Sequence, residues 1–407
     1  MLGVEHWIWL QQIFGYGSAK VAGVISRFGS AENFYYSYSK KPDDDLLTPA
    51  ESGRINKIKL EDTIKIIEKC KNLGYDIITP DDNRYPERLQ SIANPPAALY
   101  VNGNLPNMDD EVGISIVGPR KPSEYGKKAA LSLAARLSMA GLLIISGGAT
   151  GIDSFAHIGA LATGGKTIAV LGCGLNYPYL NANKKLRENI SENGALISEF
   201  PPDYRASKNT FPIRNRIISA LSLGTVIIEA GFKSGALITA RHAAEQGRDV
   251  FVIPGNPSAE HYKGSNLLIK DGAKPLLTAM DILEEYINIY PHKINLRNAF
   301  DIDDADLLQK LRSTLKTFYD AGKVKKDELK PCLKTEDKTG LNKRHDISLL
   351  TETAKILYNY IDTKIIQPDE LAEISGLDGS QLLSAITELE LFGILKAIPG
   401  GRYEFIE

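Results

Sequence analysis

Cysteine is scarce in this chain of 407 residues: Cys70, Cys173 and Cys332 stand far apart and odd in number. That usage indicates neither a disulfide framework nor a cysteine-based zinc site, and Cys173 is read as a small buried residue. Neither a metal nor a cofactor is expected. Long apolar runs are missing too. No stretch approaches the ~18 residues that a membrane span needs, and the start Met1-Leu2-Gly3-Val4-Glu5-His6 has no basic segment followed by an apolar one. The expectation is a cytoplasmic protein without a membrane segment. An excess of positive charge is also lacking, since 48 Lys and Arg against 50 Asp and Glu leave a formal charge of −2. Proteins that hold nucleic acid usually carry a basic footprint. Any grip on a phosphate chain must therefore come from a local row of cations and backbone N–H groups.

What is present suits a folded chain of several modules. Hydrophobic residues make up 43% and charged residues 24%, enough for a sizeable core. At roughly 100 to 200 residues per domain, about two to four modules are expected.

Residues 1–75 read as helical. The segment Ile13-Phe14-Gly15-Tyr16-Gly17-Ser18-Ala19-Lys20 places a glycine turn before an amphipathic stretch that ends at Phe28-Gly29. Such a turn, helix-hairpin-helix-like or SAM-like, either offers helix N-terminal N–H groups to a phosphate or serves packing. From Gly113 onward the pattern changes to short apolar runs, each followed by a helical stretch. The runs are Ile114–Val117, Leu142–Ile145, Thr167–Leu171, Leu196-Ile197, Thr225–Ile228 and Val250–Ile253. Buried parallel strands look like this, because helices cover both faces of the sheet and leave no alternation. The fold class expected over 76–287 is therefore α/β, an extended Rossmann-like, doubly wound, mostly parallel sheet.

Beyond Tyr290 the chain turns charge-rich and shows no strand pattern, so 288–347 is expected to be a charged linker or helical insert. Order returns over 348–407. Glu370–Leu377, Leu382–Leu391 and a terminal hairpin through Arg402-Tyr403-Glu404-Phe405 suggest a winged helix. Its second helix carries Ser384, Thr387, Glu388 and Glu390 but neither Arg nor Lys. A protein contact suits it better than groove reading.

In a doubly wound sheet the ligand crevice lies beyond the carboxyl ends of the strands. After the first strand stand Gly118-Pro119-Arg120-Lys121, a tight turn with two cations. The second ends in Ser146-Gly147-Gly148-Ala149-Thr150-Gly151-Ile152-Asp153, a loop whose N–H groups can cradle an anion. Asp153 reads as a cap for the helix carrying His157, and His157 as a buried, hydrogen-bonded side chain. Phe211-Pro212-Ile213-Arg214-Asn215-Arg216 gathers an aromatic and two guanidiniums at a helix start. A guanidinium fork grips phosphate and a ring stacks on a base. Pairing of Arg214 or Arg216 with Glu199 or Glu229 is the structural alternative. Lys233-Ser234-Gly235 places one more cation on a helix N-terminus.

Taken in order, these segments resemble the DNA-processing protein A family, also called Smf. The similarity is densest from Tyr85-Pro86-Glu87-Arg88-Leu89 through the α/β domain, about half the chain. It takes in Pro95–Tyr100, Val117–Arg120, Ser146–His157, Tyr177-Pro178-Tyr179-Leu180-Asn181, Ile197-Ser198-Glu199, Phe211–Arg216, Glu229–Ala240 and Val252–Gly255. The resemblance implies a protein that binds and protects single-stranded DNA. It further implies loading of the RecA recombinase during DNA uptake, natural transformation and recombination, and a homodimer formed through the Rossmann-like domain. No catalysis is implied. The expected strand-binding residues are Gly118, Arg120, Lys121, Ser146, Gly147, Gly148, Gly151, Asn181, Phe211, Arg214, Asn215, Arg216, Lys233, Ser234 and Gly235. Two departures from the family pattern, Pro119 for a small polar residue and Thr150 for Arg or Lys, are expected to weaken phosphate contact locally. The charged stretch from Asp301 to Asp346 is longer than the resemblance leads one to expect.

Three rival functions rest on weaker signals, and the one of another class, a pure scaffold whose crevice stays empty, is separated by a shift assay with oligothymidylate. A nucleoside monophosphate phosphoribohydrolase-like enzyme carries a Pro-Gly-Gly element with a catalytic Glu, whereas Glu229 precedes its glycine loop here and that element is absent. A dinucleotide oxidoreductase needs a third glycine after Gly172-Cys173-Gly174, and Tyr177 takes its place.

Overall fold

Runs of Ile, Val and Leu set the strands. A computed structural model of the chain describes residues 3–40, 46–179, 183–300 and 304–318, then 350–361, 365–366, 368, 375, 379–391, 394–398 and 402–405. It divides into two units, Met1–Leu333 and Lys334–Glu407.

The first unit is built on nine strands: β1 (Asp76–Ile78), β2 (Leu99–Gly103), β3 (Gly113–Val117), β4 (Leu143–Ser146), β5 (Thr167–Leu171), β6 (Gly194–Ser198), β7 (Gly224–Ile227), β8 (Asp249–Val252) and β9 (Lys274–Pro275). Their order across the sheet is β1-β2-β6-β5-β4-β3-β7-β8-β9. Neighbours from β6 to β9 run parallel, while β1 and β2 add an antiparallel edge. All six apolar runs fall on strands of this mostly parallel, doubly wound sheet. From β3 the chain winds outward through β4, β5 and β6, then crosses back to begin β7 on the other side of β3. The direction of winding reverses between β3 and β7, and a crevice opens beyond their carboxyl ends.

Successive residues of a strand face opposite ways, and the two sides of the sheet bury separate cores. Ile114, Ile116, Ile144, Val226 and Phe251 pack with the helices Glu124–Met139, Ile152–Ala162 and Met280–Ile287. Val117, Ile145, Val170, Ile227 and Val252 pack with the helices Thr210–Ala220 and Gly235–Glu245. Each fully buried aliphatic side chain contributes about 1.5–3 kcal/mol, which is why these strands need no alternation of polar residues.

The N-terminal module is helical, as expected, with Val4–Phe14, Lys20–Phe28, Ala31–Lys40, Pro49–Ile55 and Leu60–Leu73 around an aromatic core of Trp7, Trp9, Phe14 and Phe34. Gly15 and Gly17 turn the chain between the first two helices at φ 81° and 74°, a conformation that side chains disfavour.

The stretch after Tyr290 is not a linker throughout. Leu296–Phe300 and Asp304–Phe318 are helices, and Leu307, Leu311 and Leu315 are buried in the core that includes Ile158. An apolar stripe at four-residue spacing outweighs the surrounding charges. The charged segment 319–349 lies outside the described residues. In the second unit, helices Glu352–Tyr360 and Gly379–Leu391 share a core with the sheet β10 (Ile365–Ile366), β11 (Leu395–Ile398) and β12 (Arg402–Phe405). The sheet is antiparallel with β12 in the middle, the winged-helix pattern. Most of the expected helix over 370–377 lies outside the described residues. Among the described residues, no helix is long and apolar enough to cross a membrane.

Candidate nucleic-acid interface

Two loops interlock at the carboxyl edge of the sheet because glycine lets their backbones touch. A Cβ on Gly118 would stand 2.6 Å from Ile152 Cγ1, and one on Gly151 would stand 2.4 Å from the carbonyl of Pro119. Ile152 N donates to that same carbonyl at 3.2 Å. The role of Gly118 and Gly151 is thus to fit the first loop against the helix Ile152–Ala162, which leaves Arg120 and Lys121 exposed at the rim.

Beside them lies a pocket of about 350 Å³. Val117, Gly118 and Arg120 line it from the β3 side, Ser234, Gly235 and Thr239 from the helix that follows β7. Ser234 caps that helix, its Oγ accepting from Ala236 N at 3.3 Å. Lys233 is exposed just before it. Ala149 lines it from the loop after β4 and Asp153 from the helix start that follows, and a further wall is one face of the helix Thr210–Ala220: Phe211, Arg214, Asn215 and Ile218, spaced i, i+3, i+4, i+7. Asn215 Nδ2 donates to Gly235 O at 3.3 Å and ties the two helices together.

Several expected anion ligands are engaged inside the protein instead. Ser146 is buried and its Oγ donates to Ile116 O at 2.7 Å. Gly147 and Gly148 are buried as well. Gly147 is small because Arg214 lies against it: a Cβ there would stand 2.6 Å from Arg214 Nη1 and 2.5 Å from Asp153 Oδ2, whereas Gly148 has φ 63° and a Cβ there would meet Leu171 Cδ2 at 2.9 Å. The amide of Ala149 donates to Asp153 Oδ2 at 3.3 Å. This loop clamps a guanidinium through the Gly147 carbonyl, and its Ala149 amide is taken up by Asp153. Asn181 lies outside the described residues.

The two arginines of the helix differ from what an open pair would offer. Arg216 is held in an ion pair with Glu199 at 2.8 Å, both side chains 2% exposed. Of the structural alternatives considered for these arginines, the Glu199 pairing is the one formed, and Arg216 is withdrawn from the crevice. Arg214 is 5% exposed. Its Nη1 donates to Gly147 O at 2.5 Å and also to Val170 O, its Nε to Asn215 Oδ1 at 3.2 Å. Burial holds the Asp153 carboxyl above its usual range, and the nearby Arg214 charge pulls the other way. Arg214 therefore shapes the pocket floor and contributes positive potential, while Arg120 is the guanidinium at the surface.

Arg120 lies 4.7 Å over the centroid of the Phe211 ring. Phe211 has Tyr179 beside it at 5.5 Å, and a Cβ on Gly172 would stand 2.7 Å from its Cδ1. Its open face is thus covered by the guanidinium, and the ring is a seat for Arg120 rather than a free base-stacking surface.

Glu229, the carboxylate on which the hydrolase rival depended, is fully buried. It accepts from Ser123 N at 3.0 Å, from Ser123 Oγ and from Tyr262 OH at 2.9 Å, which fastens the loop bearing Arg120 to the end of β7. Among the described residues no group of His, Cys, Asp or Glu is placed to hold a metal ion.

His157, 0% exposed, sits beneath the clamp. Thr167 Oγ1 donates to Ile144 O at 2.7 Å, so it accepts from His157 Nδ1 at 2.7 Å, and Nε2 has no partner. The ring is neutral, its pKa lowered by burial to about 3. A free histidine titrates near about 6.5, so below that pH the unfolded chain takes up a proton that the folded chain refuses. Stability is expected to fall as pH drops from about 6.5, by about 1.4 kcal/mol per unit at most from this group. Urea unfolding at pH 7 and pH 5.5 checks this: His157→Gln should flatten the dependence, and an unchanged slope contradicts it.

The first helical turn was a second place where phosphate contact was open. Gly17 N donates to Glu199 Oε1 at 3.1 Å, so this turn faces the α/β domain and not a ligand.

Comparison with known proteins gives concordant matches. The family model described as DNA recombination-mediator protein A matches residues 76–287, and the one described as DprA winged helix domain matches residues 345–401. Protein Smf of Synechocystis sp. is 31% identical over 343 residues, 84% of this chain and 82% of that one. DNA processing protein DprA of Bacillus subtilis is 38% identical over 221 residues, 54% of this chain and 74% of its own. Among solved structures, DNA processing protein A of Streptococcus pneumoniae superposes with a TM-score of 0.59 at 32% identity, covering 69% of this chain and 97% of that one.

Proposed function

Because this chain belongs to the DNA recombination-mediator protein A family, we propose that it binds single-stranded DNA across the crevice beyond β3 and β7 and hands the strand to the RecA recombinase during DNA uptake. The chain acts by binding and is not an enzyme. The observation that carries the site is an exposed guanidinium, Arg120, seated on Phe211 at the mouth of a pocket floored by a second, buried guanidinium.

Physically, a flexible polyanion suits this rim. Arg120, Lys121 and Lys233 are exposed, and each neutralises one phosphate without reading a base. One such pocket is small, so tight binding calls for two on one strand. A homodimer through the Rossmann-like domain supplies them by raising the effective concentration of the second site. Leu277, exposed just after the edge strand β9, and Leu267, exposed on the helix Lys263–Lys270, offer apolar surface for that contact. The setting proposed is the cytoplasm, where RecA and incoming DNA meet.

With three phosphates neutralised at ~0.7 each, single-strand affinity is expected to fall with salt at a log–log slope of about −2 per site. Fluorescence titration of oligothymidylate between low and moderate salt measures it. A flat response contradicts the proposal, and release of free base from a nucleotide would instead favour the hydrolase.

A further inference from the structure

We infer that the N-terminal helical module is a positioning element of the DNA site: its Gly15-Tyr16-Gly17 turn, through Glu199 and Arg216, fixes the helix that forms the pocket wall. The inference rests on the binding proposed above for that pocket.

The helix Thr210–Ala220 has two working faces. One, with Phe211, Arg214, Asn215 and Ile218, lines the pocket. The adjoining face, Ile213 and Arg216, meets the N-terminal turn. Gly17 lies so close that a Cβ there would stand 3.0 Å from Ile213 Cγ2. A single carboxylate oxygen joins the partners, since Glu199 Oε1 accepts from Gly17 N at 3.1 Å and from Arg216 Nη2 at 2.8 Å. A second loop closes the ring: Arg216 Nε donates to Asn94 O at 3.1 Å, and Asn94 Nδ2 donates to Gly17 O at 3.2 Å. Tyr16 packs against Phe200 and Tyr204, with ring centroids 4.7 and 4.9 Å away.

This latch is polar, centred on the buried Arg216–Glu199 pair and built from parts far apart in sequence, the Gly17–Glu199 bond spanning 182 residues. A core meant only for stability is more cheaply made of apolar side chains, because burying two charges costs desolvation that their attraction only partly offsets. What a fork-shaped guanidinium and a fixed carboxylate add is register. A helix is one rigid body, so a latch that slips on one face shifts the Phe211 seat and the Arg214 clamp on the other. Opening the latch is therefore expected to lower affinity for DNA that the N-terminal module never touches.

The experiment measures oligothymidylate affinity and thermal stability of the full chain for Glu199→Ala, Glu199→Gln, Tyr16→Ala and a control, Leu283→Ala. Leu283 is buried in the core on the opposite side of the sheet, so its truncation lowers stability without touching the latch. Glu199→Ala and Tyr16→Ala are expected to weaken binding about tenfold, within the range of ordinary intramolecular coupling, at temperatures where they remain folded. Glu199→Gln keeps an acceptor oxygen for both donors and should restore most of the affinity. Leu283→Ala should bind like the parent. If Tyr16→Ala and Glu199→Ala bind no more weakly than Leu283→Ala, the module is a structural appendage and the inference is overturned. Arg120→Ala runs alongside: loss of binding there with no loss in the latch variants overturns this inference alone, whereas no effect in Arg120→Ala removes the pocket reading itself.

Discussion

Replacing Arg120 by alanine is expected to weaken single-stranded DNA binding about 10- to 100-fold, for every base sequence alike. The guanidinium is exposed, so its loss from the folded protein forfeits only a cation–π contact of ~0.5–1 kcal/mol. In the complex it forfeits a charge-assisted hydrogen bond to phosphate, which is typically about 1.5–3 kcal/mol. The difference appears as affinity, with the melting temperature nearly unchanged. The salt slope should shrink by about 0.7 as well, because one fewer counterion is released. Phe211→Leu should weaken binding in the parent yet add little on the Arg120→Ala background, since the ring works by seating that guanidinium. Additive losses would mean that Phe211 meets a base on its own account. An unchanged dissociation constant in Arg120→Ala would remove the residue from the site.

Replacing Arg214 by alanine is expected to do the opposite, acting first on the fold. Its guanidinium satisfies the carbonyls of Gly147 and Val170 and is the cation beside the buried Asp153. Truncation leaves these acceptors without donors and the carboxyl without its counter-charge. Breaking a buried charged arrangement by removing one partner costs about 3–5 kcal/mol. Urea unfolding at pH 7 should show a loss of that size. Arg214→Lys should recover only part of this, because an ammonium lacks the Nε–H that reaches Asn215 Oδ1 and the planar geometry that holds Nη1 between the two carbonyls. A loss below about 1 kcal/mol, the scale of an ordinary surface change, would mean that the clamp is not structural.

The contrast between these two arginines marks the limit of what sequence can disclose. The strands were legible because a buried parallel strand must be apolar on both faces, as in Ile114–Val117 and Thr225–Ile228. The edge strand Asp76–Ile78 was not, since three residues among polar neighbours carry no period. Crevice loops were legible from glycine and cation spacing after each run, and Arg120, Lys121 and Lys233 do stand exposed at the rim. Which guanidinium stays in solvent was not legible. Arg214 and Arg216 sit two positions apart in a motif that reads the same whether a side chain points out or in. Their fates depend on Gly147, Asp153 and Glu199, which only the folded chain brings to them.

The same reasoning explains two further departures. Glycine in Ser146-Gly147-Gly148 suggested amides offered to an anion, but glycine also marks the place where a bulky side chain must be accommodated, and at Gly147 that side chain is Arg214. The helix Asp304–Phe318 realises the helical alternative for the charged stretch, but its burial was hidden by its charges. Its buried stripe of Leu307, Leu311 and Leu315 repeats every four residues, a signal that charge density over the same stretch masks.

The central claim is that a DNA phosphate replaces nothing more than solvent at the mouth of the β3–β7 crevice and is met there by Arg120. A crystal structure of the chain with a short oligothymidylate tests it most directly. A backbone phosphate within hydrogen-bond distance of the Arg120 guanidinium, beside Lys233 and the Ser234-Gly235 helix start, is the expected result. A strand bound on another face, with Arg120 still laid over Phe211 and touching no phosphate, would contradict it.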